Sequence, residues 1–349
     1  MLNKCFLTAA CCCCFLLSFS QRQQINFDKN WRFHFGHTAN AEKDFNYTIS
    51  TIFSKSGAAP KTAIDPKFDD SKWRQLNLPH DWAVELPFAY KDNFDVMVHG
   101  YKPVGGLFPE TSIGWYRKHF TISAKDSGQR FQLQFDGVFR NASFWLNGFY
   151  LGNNLSGYTG ESYDVTDYIH FNKNNVLVVR VDASQYEGWF YEGAGIYRHV
   201  WLNQYDNLHI DRNAVFVYSK SDEKVSSVFI ETPVINQGLA MSRCTVQTYI
   251  TDRDGKKLVQ VKEQALQLPP NGSAIVKQSM AIGGARRWSV DDPYLYRVVS
   301  VVKQNGKVVD STKQRFGIRE IEIKPNGVFL NGRHIKLLGV NNHQDHAGV

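Results

Sequence analysis

Past its first fourteen residues the sequence has one cysteine, Cys244, because Cys5, Cys11, Cys12, Cys13 and Cys14 crowd the start of the 349-residue chain. A body with one thiol has no internal disulfide framework, so its stability rests on buried cores. Long helical periodicity is missing too, which argues against a helical bundle. The 40 Lys and Arg exceed the 33 Asp and Glu, giving a formal charge of +7, but the cations are scattered singly rather than gathered in a stripe. That pattern argues against a nucleic-acid partner. There is no Gly-rich phosphate loop opening a helix, no paired Cys or His-Glu-x-x-His metal spacing, and no Gly-x-Ser-x-Gly elbow. A complete catalytic apparatus is therefore not visible, and neither a cofactor nor a metal site is expected.

What is present begins with an apolar run from Cys5 to Phe19 behind Lys4, closed by Ser18-Phe19-Ser20. Small residues at that spacing suit a signal peptidase, so residues 1–20 are expected to be a cleaved signal peptide and the protein periplasmic or extracellular. A membrane anchor is the weaker reading, since a spanning helix needs about 20 apolar residues. Lipid attachment at Cys11, after Leu7-Thr8-Ala9-Ala10, is weaker again.

Phe, Tyr and Trp number 24, 16 and 8 beside 26 Gly, a composition that favours short strands and tight turns. From Ile25 to about Asn203 apolar and polar residues alternate in short runs, as in Trp115 to Ile122, Phe131 to Phe135, Ala142 to Leu151 around Asn147-Gly148, and Val176 to Asp182. This period of two marks half-buried strands, and Asn-Gly marks a type I′ hairpin. Residues 21–205 are expected to form a jelly-roll β-sandwich. Residues 206–318 carry about seven strands: Ala214 to Tyr218, Val225 to Ile235, Cys244 to Thr251, Lys257 to Leu268, Ala274 to Ile282, Tyr294 to Lys303 and Lys307 to Arg315. Their number and spacing suit an immunoglobulin-like sandwich. In residues 319–349 a hairpin around Asn331-Gly332 leads into a nearly continuous apolar run, His334 to Val340. Such a run predicts a strand buried on both faces, the opening strand of a parallel (β/α)8 barrel. A barrel needs about 250 residues, so only its start is expected within this chain.

Two clusters are candidates for chemistry. At the end of the presumed barrel strand stand Asn341, Asn342, His343, Gln344, Asp345 and His346, whose imidazoles and carboxylate could hydrogen-bond sugar hydroxyls or hold a cation. The structural alternative is a polar, frayed terminus. The stretch Tyr186-Glu187-Gly188-Trp189-Phe190-Tyr191-Glu192-Gly193 offers Trp189 for stacking on a sugar ring and Glu187 and Glu192 as acceptors. Its alternative is an aromatic plug against a neighbouring domain. The turn Pro79-His80-Asp81-Trp82 reads as structural, with Asp81 capping nearby backbone donors.

Eight stretches in order carry a resemblance: Trp31-Arg32-Phe33, Leu78 to Trp82, Gly114 to Lys118, Phe144 to Gly148, Gly193 to Leu202, Asp292 to Tyr296, Phe316 to Arg319, and Gly339 to His343. Together they closely resemble glycoside hydrolase family 2, over essentially all of the chain after residue 20. Gly193-Ala194-Gly195-Ile196-Tyr197-Arg198 and Gly339-Val340-Asn341-Asn342-His343 are the most specific. The resemblance implies a jelly-roll sugar-binding domain, an immunoglobulin-like domain and a TIM barrel, acting on terminal β-linked sugars with retention. Within the family the 341–346 and 186–193 stretches look most like β-galactosidases of the secreted Bacteroidetes type. β-Glucuronidases and β-mannosidases share the framework. By position His343 resembles the family histidine that contacts the sugar, with Asp345 and His346 beside it.

Retaining hydrolysis requires two carboxylates about 5 to 5.5 Å apart. In the family both are glutamates on later barrel strands, the acid/base following an Asn, and no Asn-Glu dipeptide occurs here. The implied roles are thus substrate binding for His343, Asp345, His346, Glu187, Trp189 and Glu192, with no catalytic residue in the chain. The expected partner is a β-galactoside or related glycan, with no membrane span; a homo-oligomer is compatible. The full enzyme could hold a structural cation that this sequence does not reveal. A non-catalytic carbohydrate-binding or scaffold module is the alternative from another class.

Overall fold

The computed structural model describes residues 22–38, 61–85, 113–184, 193–211, 214–222 and 224–341. The leader expected at 1–20 lies outside them. Among the described residues strands dominate, joined by turns and three short 3-10 segments. This is the mainly β, double-sandwich class that the alternation implies.

In the first sandwich a six-stranded antiparallel sheet runs in the order Arg74–Leu76, Trp31–Phe35, Ile113–Thr121, Asn174–Asp182, Ala142–Leu146 and Phe149–Asn154. Facing it is a four-stranded sheet ordered Gln23–Asn26, Val200–Tyr205, Arg130–Phe135 and Glu161–Asp164. Alternate residues fill the space between them, including Trp31, Phe33, Tyr116, Phe131, Leu133, Phe135, Phe144, Leu177, Val179 and Leu202. The Asn147-Gly148 turn has positive φ at both residues (52° and 86°), as a type I′ hairpin requires.

The alternation understates burial in the middle of the larger sheet. Its outer side is also covered, because Trp115, Trp145, Val176 and Val178 pack against Ala63, Ile64 and Trp73. What holds residues 61–73 there is Arg117, fully buried, whose guanidinium reaches Asp70 Oδ2 at 2.8 Å and the Ala63, Asp65 and Phe68 carbonyls. His119 meets the same Asp70 oxygen at 2.8 Å. Burial pushes the Asp70 carboxyl up, but the hydrogen bonds from His119 and Arg117 prevail and hold it below its ordinary range.

The second sandwich pairs Val225–Asn236 with Leu208–Ile210, Phe216–Ser221 and Gly272–Gly283 in one sheet. In the other, Ser242–Thr251 lies between Tyr296–Gln304 and two short strands, with Lys307–Phe316 outermost. Its apolar core is separate, built from residues such as Ile210, Val228, Ile230, Val246, Ile250, Val298 and Val302. Ser300 Oγ sits in its interior within 3.1 Å of Thr232 Oγ1 and 3.2 Å of Thr248 Oγ1, so these buried hydroxyls satisfy one another.

Two strand expectations need correction. Lys257 to Leu268 is not one strand but two, Lys257–Gln260 and Gln264–Leu268, both paired to Ser242–Thr251 with a break between them. The run from His334 to Val340 is not a buried strand either. Arg333–Ile335 closes a three-stranded sheet with Gly327–Leu330 and Ile321–Lys324, after which Leu337, Leu338 and Val340 are 75%, 83% and 92% exposed. A strand buried on both faces needs neighbours on each edge to take its backbone groups, and none of the described residues supplies them.

Candidate functional site

The motif residues converge at one end of the first sandwich. The His80 backbone N–H donates to the Ile196 carbonyl at 2.8 Å, and that of Trp82 donates to Ala194 at 2.9 Å. Asp81 Oδ1 accepts from the amides of Ala83 (2.9 Å) and Ala194 (2.8 Å), which is the capping role read from its turn. Beneath them Tyr116 is fully buried, and its hydroxyl lies 2.7 Å from His80 Nδ1. Burial raises the Tyr116 phenol well above its ordinary value, and burial likewise lowers His80 against the pull of Glu85. A neutral His80 accepting from the phenol at Nδ1 turns its Nε2–H toward Glu85, whose Oε1 is 3.4 Å away. Glu85 in turn is held by both terminal nitrogens of Arg74.

Gly195 is the tightest point of this arrangement. Its φ is +129°, and a Cβ there would lie 2.4 Å from the Tyr116 hydroxyl and 2.7 Å from the His80 carbonyl. Only glycine combines that backbone with that approach.

Beside this knot a cleft of about 660 Å³ opens on the four-stranded sheet, lined among others by Gln132, Gln134, Asp136, Glu161, Arg198 and His199. It exists because Arg130–Phe135 alternates, sending Phe131, Leu133 and Phe135 into the core and Gln132 and Gln134 outward. Asn203, across the ladder, bonds to both glutamine side-chain oxygens at 3.4 and 3.3 Å. Asp136 accepts from Gln134 Nε2 at 2.7 Å and Trp201 Nε1 at 2.8 Å. His199 Nδ1 is 2.7 Å from Asp28 Oδ2. Burial alone would raise Asp28, but the Val200 amide, Asn26 and His199 hold its carboxyl below the usual range. Glu161 goes the other way: burial raises its carboxyl despite the Tyr163 hydroxyl that donates to Oε2 and the pull of the Asn154 amide, and its Oε1 takes no hydrogen bond of good geometry among the described residues.

The six residues singled out from the sequence, Glu187, Trp189, Glu192, His343, Asp345 and His346, lie outside the described residues. The structure does place the residues flanking the 186–193 stretch: Ala194 bonds Asp81 and Trp82, while Ser184 donates to Asp182, opposite Ile113 in the sheet. Among the described residues no group of three or more His, Cys, Asp or Glu side chains could hold a metal, and no helix is long and apolar enough to cross a membrane. Sequence reasoning missed the cleft. Arg198 and His199 stood within a recognised motif, but Gln132 and Glu161 join them only through strand pairing.

Residues 28–205 match the family model described as "Glycosyl hydrolases family 2, sugar binding domain", and residues 208–319 match "Glycosyl hydrolases family 2". The chain belongs to glycoside hydrolase family 2. Beta-galactosidase BoGH2A of Bacteroides ovatus is 32% identical over 329 residues, covering 93% of this chain and 35% of that protein. A beta-glucuronidase of Formosa agariphila is 29% identical over 325 residues, covering 86% and 32%. Among solved structures, a family 2 member from Bacteroides cellulosilyticus superposes with a TM-score of 0.73 at 31% identity, over 90% of this chain and 39% of that one. The chain thus spans about a third of the length of these curated relatives. The motifs of this family 2 chain that can be traced here, from Trp31 to Arg319, include those that pack against one another around Tyr116.

Proposed function

We propose that this chain is the sugar-binding and spacer portion of a retaining β-galactosidase. The observation that carries the reading is the match to a Bacteroides β-galactosidase over 93% of the chain. In the proposed whole protein a TIM barrel supplies the two glutamates, and terminal β-D-galactosyl residues are the substrate. In that whole protein His343, Asp345 and His346, with Glu187, Trp189 and Glu192 from the 186–193 stretch, would contact the sugar. Lacking an Asn-Glu dipeptide, the chain by itself is expected not to hydrolyse glycosides. The apolar run at 5–19 supports export to the periplasm or beyond.

A β-glucuronidase is the second reading, favoured by relatives of that name in Formosa agariphila at 29% and Bacteroides fragilis at 26% identity. The deciding experiment assays a polypeptide containing this chain and the barrel on p-nitrophenyl β-D-galactoside and β-D-glucuronide. Turnover of the galactoside with retained configuration supports the proposal; turnover of the glucuronide alone replaces it with the second reading.

A further inference from the structure

We propose that the cleft over Gln132 and Glu161 is a binding site for a neutral β-galactopyranoside, held by the first sandwich itself. The choice of galactoside rests on the proposed function above; the existence of a neutral-sugar site does not.

Size is the first argument. A volume of about 660 Å³ lies in the range of small-ligand sites and admits one or two pyranose rings.

The second is the unfilled hydrogen-bonding capacity of the lining. A sugar hydroxyl is both donor and acceptor, so a sugar site must offer both kinds of group close together. On the donor side, Arg198 is exposed and forms no hydrogen bond or ion pair among the described residues, its guanidinium resting over the Tyr197 ring 5.3 Å from the centroid. Gln132 uses its oxygen for Asn203, which leaves its Nε2 hydrogens without a partner among those residues. On the acceptor side, Glu161 Oε1 is buried and takes no hydrogen bond of good geometry among the described residues, the Asn154 amide acting on the carboxyl only weakly against burial, so a ligand hydroxyl can complete it. With Nδ1 committed to the Asp28 carboxylate, His199 leaves Nε2 on the lining for a ligand hydroxyl. Ser162, also on the lining and exposed, can act either way.

Third, these groups are held in place. Asn203 bridges Gln132 and Gln134, Gln134 and Trp201 fix Asp136, Tyr163 fixes Glu161, and Asp28 fixes His199. A lining fixed by its own supporting bonds loses little freedom on binding.

Charge selects the class of sugar. Among the described lining residues, Asp136, Glu161 and Asp211 stand against one guanidinium, that of Arg198. A uronate or sulfated sugar would bring its anion up to several carboxylates, whereas a neutral pyranoside meets no repulsion.

The test is an NMR and calorimetric titration of the chain with methyl β-D-galactopyranoside and, in parallel, methyl β-D-glucuronide. Saturable galactoside binding is expected, with shift changes clustered at Gln132, Ser162 and Arg198. Arg198→Ala and Gln132→Ala, both at positions outside the core, should each weaken it roughly tenfold while thermal unfolding stays as in the parent. Absence of saturable binding, or binding that neither variant weakens, overturns the proposal. If the longer polypeptide still hydrolyses galactosides in that case, the cleft fails and the proposed function stands. Glucuronide binding at the cleft as tight as galactoside binding overturns the charge argument and with it the assignment to neutral sugars.

Discussion

Asp310, which has no exposed surface, receives both Nε and a terminal nitrogen of Arg22 at 3.1 and 2.8 Å, joining the first described residue to the second sandwich. The Ile210 amide donates to the same carboxylate at 2.7 Å, that of Ser311 at 2.9 Å, and Arg22 also reaches the Ile210 carbonyl. One arginine thus ties the strand Gln23–Asn26 of the first sandwich to the joint where the second begins. Arg22→Ala leaves a buried carboxylate with its amides but without its cation, and should cost about 3 kcal/mol. Denaturant unfolding followed by tryptophan fluorescence checks this. An unchanged midpoint would show that the pair contributes nothing to the joint.

Gly195→Ala should be among the most damaging single-methyl changes in the first sandwich. The new Cβ meets the Tyr116 hydroxyl and the His80 carbonyl far inside van der Waals contact, on a backbone at φ +129°. Strain and overpacking together suggest roughly 3 kcal/mol or more. The check is a melt of Gly195→Ala beside Gly128→Ala, which also has positive φ (+90°) but open space around it. If crowding matters beyond backbone strain, the first falls well below the second; equal losses would assign the whole effect to φ.

What could be read beforehand follows from how far each signal reaches along the chain. Asn147-Gly148, Asn305-Gly306 and Asn331-Gly332 each announce their hairpin locally, and all six residues have the positive φ that the turn demands. The outer cover of the larger sheet could not be read that way. It depends on Arg117 finding Asp70, 47 residues away, and nothing in the alternation of Trp115 to Ile122 says which polar residue will be buried. The same holds for the cleft: Gln132 meets Asn203 across a ladder, 71 positions apart. His334 to Val340 misled for the opposite reason, because an apolar run states what a strand would bury, not whether neighbours are there to bury it.

Asp70→Asn should strip residues 61–73 from the sheet. The change leaves Arg117 wholly buried with only backbone carbonyls and a neutral amide, a loss of about 3 to 5 kcal/mol. Because Ala63, Ile64 and Trp73 then lose their anchor to Trp115 and Val178, limited proteolysis should cut within 61–73 faster than in the parent. Parent-like resistance would mean that the apolar contacts alone hold the cover.

Lys118 supplies a pH signature that belongs to one residue. It is buried, its Nζ donates to the Lys29 carbonyl at 2.6 Å and lies 4.7 Å from the Phe27 ring centre, and burial lowers its pKa to about 8 despite the attraction of Asp28. The unfolded chain, with an ordinary lysine near 10.5, holds this proton more tightly than the folded one. Between those two values the folded state has released the proton and the unfolded state has not, so the contribution of Lys118 to stability grows as pH rises and is absent below about pH 8. By pH 10 the gain should approach 2 to 3 kcal/mol, roughly. Lys118→Met cannot show it. Unfolding free energies of parent and variant at pH 7 and pH 10 isolate the effect from every other titrating group, since those cancel in the difference. The parent should gain on the variant over that interval; a difference independent of pH would mean that Lys118 keeps an ordinary proton affinity in the folded protein.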